Sequence, residues 1–114
     1  MYTILHNTRC GKSRDAVNVL EESGKKYVVR EYLKEPLSKK ELKEILEKLK
    51  VNPIDIVRTN EEEWKVNFKG KDLSDAQILD ALVEYPKLLQ RPIVTDDKSG
   101  VVGRPTELVT AFIK

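Results

Sequence analysis

"YTILHNTRCGKSRDAVNVLEESGKKYVVREYL", residues 2–33, sets the architecture of this chain. Residues 2–6, "YTILH", are rich in β-prone side chains and end at Asn7 and Thr8, which can break a strand and cap a helix starting near Cys10. Ala16, Val17 and Leu20 then share one helical face, and Gly24 supplies a C-terminal stop. "YVVREYL", residues 27–33, reads as a second strand. Strand, helix and strand within roughly thirty residues outline a βαβ unit, which requires a parallel pair joined by a right-handed crossover.

Downstream the pattern turns helical. Ser38 and Glu41 form a capping-box pair ahead of Leu42, Ile45, Leu46 and Leu49 at helical spacing. Asn52 and Pro53 break that helix, and "IDIVRTNEEEW" reads as one or two short helices with a turn at Thr59 and Asn60. Ser74 and Gln77 repeat the capping signature before Ile78, Leu79, Leu82 and Val83, in a helix that must stop before Pro86. Strands return in "RPIVTDDKSGVVGRP", where "DDKSG" suits a hairpin turn. Pro105 then suits the first position of a closing helix that buries Leu108, Val109, Phe112 and Ile113. The expected fold is α/β: a mixed four-stranded sheet flanked by helices, matching a thioredoxin-like core. A helical insertion, about residues 37–90, separates its βαβ and ββα halves within a single domain spanning 1–114.

Composition narrows the function classes. The chain has 114 residues, 39% hydrophobic and 35% charged, as expected of one globular domain with a heavily charged surface. Its net charge of +2 arises from 21 basic and 19 acidic residues scattered along the chain, so no broad basic face for nucleic acid is evident. No secretory signal opens the sequence and no stretch is long enough to span a bilayer. A lone cysteine forms no intramolecular disulfide, and the expected location is the reducing cytoplasm.

That lone thiol carries the chemistry. A cysteine at the start of a helix feels the positive end of the helix dipole and can receive bonds from free backbone N–H groups; both favour thiolate. Arg9, Lys12 and Arg14 add nearby charge, and His6 adds more when protonated. The alternative, an inert thiol packed as a small hydrophobe, fits neighbours such as Arg9 and Gly11 poorly. "CGKS" has Ser13 where a dithiol motif carries its second cysteine, so any redox cycle must borrow a thiol from outside. The early glycine of a phosphate-binding loop is replaced by His6. A cysteine-phosphatase loop would need arginine six residues after the cysteine, where Ala16 stands. An anion at Cys10 would therefore be gripped by arginines from elsewhere, and Arg58, Arg91 and Arg104 are the candidates. One His and one Cys cannot supply a closed metal site.

"HNTRCGKSR", with "VRTN" at 57–60, "YPKLLQRPIV" at 85–94 and "VGRPTE" at 102–107, resembles the arsenate reductase family that uses glutathione and glutaredoxin. The resemblance runs over essentially the whole chain. It implies that Cys10 is the nucleophile that attacks As(V), that Arg58, Arg91 and Arg104 bind the oxyanion, and that His6 helps keep the thiolate. It further implies that Asn7, Gly11, Ser13, Arg14 and Pro92 line or support the substrate site, with Pro92 in cis. Glutathione would act as co-substrate and glutaredoxin as protein partner, with no bound cofactor, no metal, and a monomeric chain. Two rivals share the motifs: a glutathione-dependent thiol oxidoreductase acting on another substrate, and a redox-linked regulator that binds RNA polymerase.

Overall fold

A computed structural model describes residues 1–114. They fall into two compact units, one formed by Met1–Glu35 with Arg91–Lys114 and the other by Pro36–Gln90.

In the first unit, β1 (Tyr2–Leu5) leads to α1 (Gly11–Ser23), which ends at Gly24 in the left-handed region with φ 72°, and β2 (Tyr27–Arg30) follows. The chain returns as β3 (Ile93–Thr95), β4 (Gly100–Val102) and α5 (Glu107–Ile113). The sheet order is β2-β1-β3-β4. β1 is parallel to β2, with Leu5 opposite Arg30, and antiparallel to β3, with Leu5 opposite Ile93. β3 and β4 form the expected hairpin, in which Asp96 Oδ1 accepts the Lys98 and Ser99 N–H groups. This is the thioredoxin-like arrangement. Ile4, Ala16, Leu20, Val94, Val109 and Ile113 make one buried cluster, and the Tyr2 and Phe112 rings meet edge to face at 5.8 Å on its border.

Two boundaries differ from the sequence reading. β2 stops at Arg30 rather than continuing to residue 33, because the Glu31 carbonyl accepts the N–H groups of both Lys34 and Glu35 and turns the chain. Pro105 does not open α5. The Arg104–Pro105 bond is cis, like Arg91–Pro92, and Leu108 and Val109 first bond three residues back before the helix settles at Glu107. Leu108, expected in the buried stripe, is 42% exposed.

In the second unit, α2 (Lys39–Leu49) starts at the Ser38–Glu41 capping box and ends at Lys50 with φ 59°. A 3₁₀ turn (Pro53–Ile56) precedes α3 (Glu62–Asn67), and the Ser74–Gln77 box starts α4 (Asp75–Glu84). A second 3₁₀ turn spans Pro86–Leu88. Leu42, Leu46, Ile56, Leu79, Leu82 and Leu88 are buried, and Lys39 pairs with Asp80 at 3.0 Å between α2 and α4. Val57 and Leu89 form an isolated antiparallel bridge, reinforced by Arg58 N–H to Leu88 O and Gln90 N–H to Ile56 O. Those bonds fix the backbone of Arg58.

Gly103 sits where the hairpin crosses Pro92: its N–H donates to the Pro92 carbonyl at 2.9 Å. A Cβ at this position would lie 2.5 Å from Val109 Cγ2 and 3.0 Å from Pro92 Cγ. Gly103→Ala should therefore lower stability by about 1–3 kcal/mol, the usual cost of overpacking a close contact. Chemical denaturation checks this, and an unchanged midpoint would refute it.

Candidate active site

The site is built on the loop between β1 and α1. Cys10 occupies the N-cap position of α1 with extended backbone, φ −94° and ψ 120°, and its side chain caps nothing. Its N–H donates to Asn7 O at 3.0 Å, and its carbonyl accepts Arg14 N–H at 3.0 Å. The sulfur thus lies over the first free N–H groups of the helix, where backbone donors and the dipole act together.

Ser13 holds this loop in shape. Its side chain is fully buried, and its Oγ accepts the Asn7 N–H at 3.0 Å and meets His6 Nδ1 at 2.6 Å. The hydroxyl can accept from Asn7 and still either donate to Nδ1 or accept from it, so the imidazole tautomer sets the direction of the bond to His6. Asn7 Oδ1 accepts the Arg9 N–H at 3.0 Å, and Arg14 Nη1 donates to Thr8 O at 3.0 Å. Gly11 opens α1 in open space: an added Cβ would meet only Arg14 Nη2, at 3.8 Å. Burial lowers the His6 imidazole pKa, with Glu31 opposing the shift and Arg14 adding to it. Burial thus disfavours the charged ring, and the hydrogen bond of its Nδ1 is with Ser13.

Cys10 is 8% exposed, and burial alone would push its thiol pKa up. The Ser13 backbone N–H, the Arg91 charge, a hydrogen bond from Arg91 and the Lys12 backbone N–H together outweigh burial, so the thiol lies below its ordinary value. Arg91 reaches the sulfur because it immediately precedes β3, the strand paired with β1. Its Nε and Nη1 are buried with no hydrogen-bond partner. Leaving a buried donor unpaired costs about 1–3 kcal/mol, more when it is charged. The guanidinium therefore has both a bond to sulfur and spare donors.

Arg104 is exposed, and its Nη1 contacts the Arg91 carbonyl at 3.5 Å, while Pro92 is fully buried. Arg58 belongs to the helical unit, where its Nη1 donates to Lys87 O at 3.3 Å and pairs with Glu61 Oε1 at 3.3 Å. The backbone N–H groups of Ser13 and Lys12 are the free helix-start donors that the sequence leads one to expect. One contributor escapes the sequence reading. It is Glu31, whose charge acts on His6; it follows directly from the parallel register, since the residues after Leu5 and Arg30 are His6 and Glu31. No group of three or more His, Cys, Asp or Glu side chains is placed to hold a metal ion. No helix is long and apolar enough to cross a membrane.

Two substitutions separate the supports of the thiolate. Because Arg91 lowers the Cys10 pKa, Arg91→Gln should raise it, so alkylation by iodoacetamide at pH 7 slows severalfold while the rate at high pH recovers. Ser13→Ala should leave the Asn7 N–H without its acceptor, lowering stability by about 1–3 kcal/mol, with thiol reactivity reduced at all pH values. A pH–rate profile for alkylation distinguishes the two, and an unshifted profile in Arg91→Gln would refute the assignment.

Comparison with known proteins identifies the family. The ArsC family model matches residues 5–112. An uncharacterized protein encoded in the glnII region of Streptomyces viridochromogenes is 41% identical over 90% of this chain and 91% of its own. An arsenate reductase of Haemophilus influenzae is 36% identical over 96% of this chain and 97% of its own. The solved structure of an arsenate reductase from Vibrio cholerae superposes with a TM-score of 0.90 at 37% identity, covering 96% of this chain and 95% of that one. With the family model matched over nearly the full length and relatives 36–41% identical across it, the chain belongs to the ArsC family.

Proposed function

We propose that this protein reduces arsenate to arsenite through Cys10, with glutathione and glutaredoxin as external reductants. The observation that carries the reading is the pairing of Cys10 with Arg91. The guanidinium favours thiolate and keeps two enclosed nitrogens without partners, a donor set suited to an oxyanion. Relatives named as arsenate reductases, 36% and 37% identical over nearly the whole chain, support the choice of substrate.

In this scheme the Cys10 thiolate attacks arsenic and an oxygen leaves as water, forming a Cys10–arsenic bond. A glutathione thiol displaces a second oxygen in the same way. The two sulfurs then join, their bonds to arsenic break, and arsenic keeps one electron pair and departs as As(III). Glutaredoxin attacks the Cys10–glutathione disulfide and restores the thiol. Arg91, Arg104 and Arg58 offset the repulsion between thiolate and anion. Ser13 fits an external reductant, since its hydroxyl occupies the place of a resolving thiol. The reaction suits a reducing compartment such as cytoplasm, and one chain carries every residue invoked.

The test is arsenate-dependent NADPH consumption coupled through glutathione, glutaredoxin and glutathione reductase. Cys10→Ser should abolish turnover. Arg91→Ala, Arg58→Ala and Arg104→Ala should each lower it by about 10²–10³-fold, the usual loss on removing one donor to a developing anion. No turnover by folded wild-type protein would overturn arsenate as substrate. Continued formation of a Cys10–glutathione disulfide in that case would mark a thiol oxidoreductase of different specificity.

A further inference from the structure

A cavity of about 200 Å³ opens in the sheet unit, between loop residues 6–9 and the turn after β2 that carries Glu31, Leu33 and Lys34. The proposed reaction leaves it unused. Its wall is continuous with the nucleophile loop, since Asn7, which lines it, accepts the Cys10 N–H at 3.0 Å. A water's share of liquid volume is about 30 Å³, so the space holds about seven waters. That is below the roughly 300 Å³ at which pockets enclosing a drug-sized ligand begin. Such a space takes one arm of a small flexible ligand and leaves the rest at the surface.

The lining defines that ligand. The backbone N–H of Arg9 is fixed by Asn7 Oδ1, whereas its guanidinium makes no hydrogen bond or ion pair. Lys34 Nζ lies 3.4 Å from Glu31 Oε1, with the lysine side chain 76% exposed. Leu33 adds an apolar surface, 40% exposed. Two cations and one carboxylate around an apolar patch match a molecule bearing carboxylates and an ammonium on a short peptide. An inorganic oxyanion would leave Glu31 opposing it.

We propose that this cavity is the docking site of the reducing thiol: glutathione places its carboxylates at Arg9 and Lys34, its ammonium at Glu31, and its sulfur towards Cys10. The assignment rests on glutathione being the reductant in the proposed function. It makes the residue before the nucleophile and the turn after β2 determinants of thiol-donor specificity.

Thiol–disulfide exchange tests the cavity without arsenate. The Cys10 thiolate attacks one sulfur of glutathione disulfide, the Cys10–glutathione bond forms as the disulfide breaks, and the other half leaves as a thiolate that takes up a proton. Rates of mixed-disulfide formation, read by mass spectrometry, are compared for glutathione disulfide and uncharged 2-hydroxyethyl disulfide. In Arg9→Gln/Lys34→Gln the rate with glutathione disulfide should fall about three- to tenfold, as expected for two exposed charge contacts. The groups that lower the Cys10 thiol pKa are Ser13, Arg91 and Lys12, and neither Arg9 nor Lys34 is among them, so the glutathione-disulfide rate should fall relative to the 2-hydroxyethyl-disulfide rate. Lys25→Gln/Lys98→Gln, with the same change in net charge at sites away from the cavity, should react like wild type. Equal loss with both disulfides, or equal loss in the distal variant, would overturn the assignment. Arsenate turnover is scored separately on wild-type protein. Its absence alongside a selective loss in the Arg9/Lys34 variant overturns the substrate and upholds the cavity; turnover with an unselective loss overturns the cavity alone.

Discussion

Taking a sulfur out of water while asking it to carry negative charge is costly unless fixed donors meet it. Here the donors come from opposite ends of the chain. Ser13 and Lys12 offer their N–H groups from the first turn of α1, and Arg91 adds a charge and a hydrogen bond from the residue before Pro92. The sheet order makes this possible. β1 lies between β2 and β3, and the antiparallel register sets Leu5 against Ile93, so the exit of β1 and the entry to β3 are side by side. An arginine one residue before that entry is delivered to the loop by strand pairing alone. Gly103, pressed between Val109 and Pro92, lets β4 and α5 close over the same corner.

The hydroxyl of Ser13 explains how so short a loop keeps its form. It bonds His6 Nδ1 at 2.6 Å and the Asn7 N–H at 3.0 Å, tying the end of β1 to the helix that carries Cys10. A thiol at this position would make longer, weaker bonds to both groups. The same side chain that stands in place of a potential resolving cysteine thus tightens the nucleophile loop. Burial chiefly disfavours charge on His6, with Glu31 opposing and Arg14 adding to the effect, and an uncharged ring suits this bracing role.

Much of the fold was legible because its signals are local. Capping boxes at Ser38 and Ser74, the stop at Gly24 and the "DDKSG" turn each depend on a handful of adjacent residues, and all stand where the sequence placed them. The misses depend on contacts distant in sequence or on backbone detail. Seven β-prone residues from Tyr27 predict a longer strand than the turn at Glu31 allows. The stripe through Leu108, Val109, Phe112 and Ile113 assumes a helix wound from Pro105, and the 3₁₀-like start rotates Leu108 towards water. Cys10 could be singled out from its neighbours. The partnership of Arg91 with it follows only once β3 is paired with β1.

The three arginines are not equivalent, although the sequence presents them alike. Arg91 is engaged by the sulfur and keeps two enclosed nitrogens unpaired, so its orientation is set before any anion arrives. Arg58 has its charge partly answered by Glu61, and its Nη1 also donates to a backbone carbonyl. Arg104 is exposed and makes one long contact to the Arg91 backbone. Electrostatic stabilisation of a developing anion is strongest where donors need no reorganisation. By that criterion Arg91, which already lowers the thiol pKa in the resting protein, is the arginine best suited to the proposed oxyanion role. In the proposed role Arg104 would first have to give up rotational freedom. In the proposed cycle, Arg91 therefore couples nucleophile activation to anion capture, since the charge that stabilises the thiolate is the one the incoming oxyanion will share.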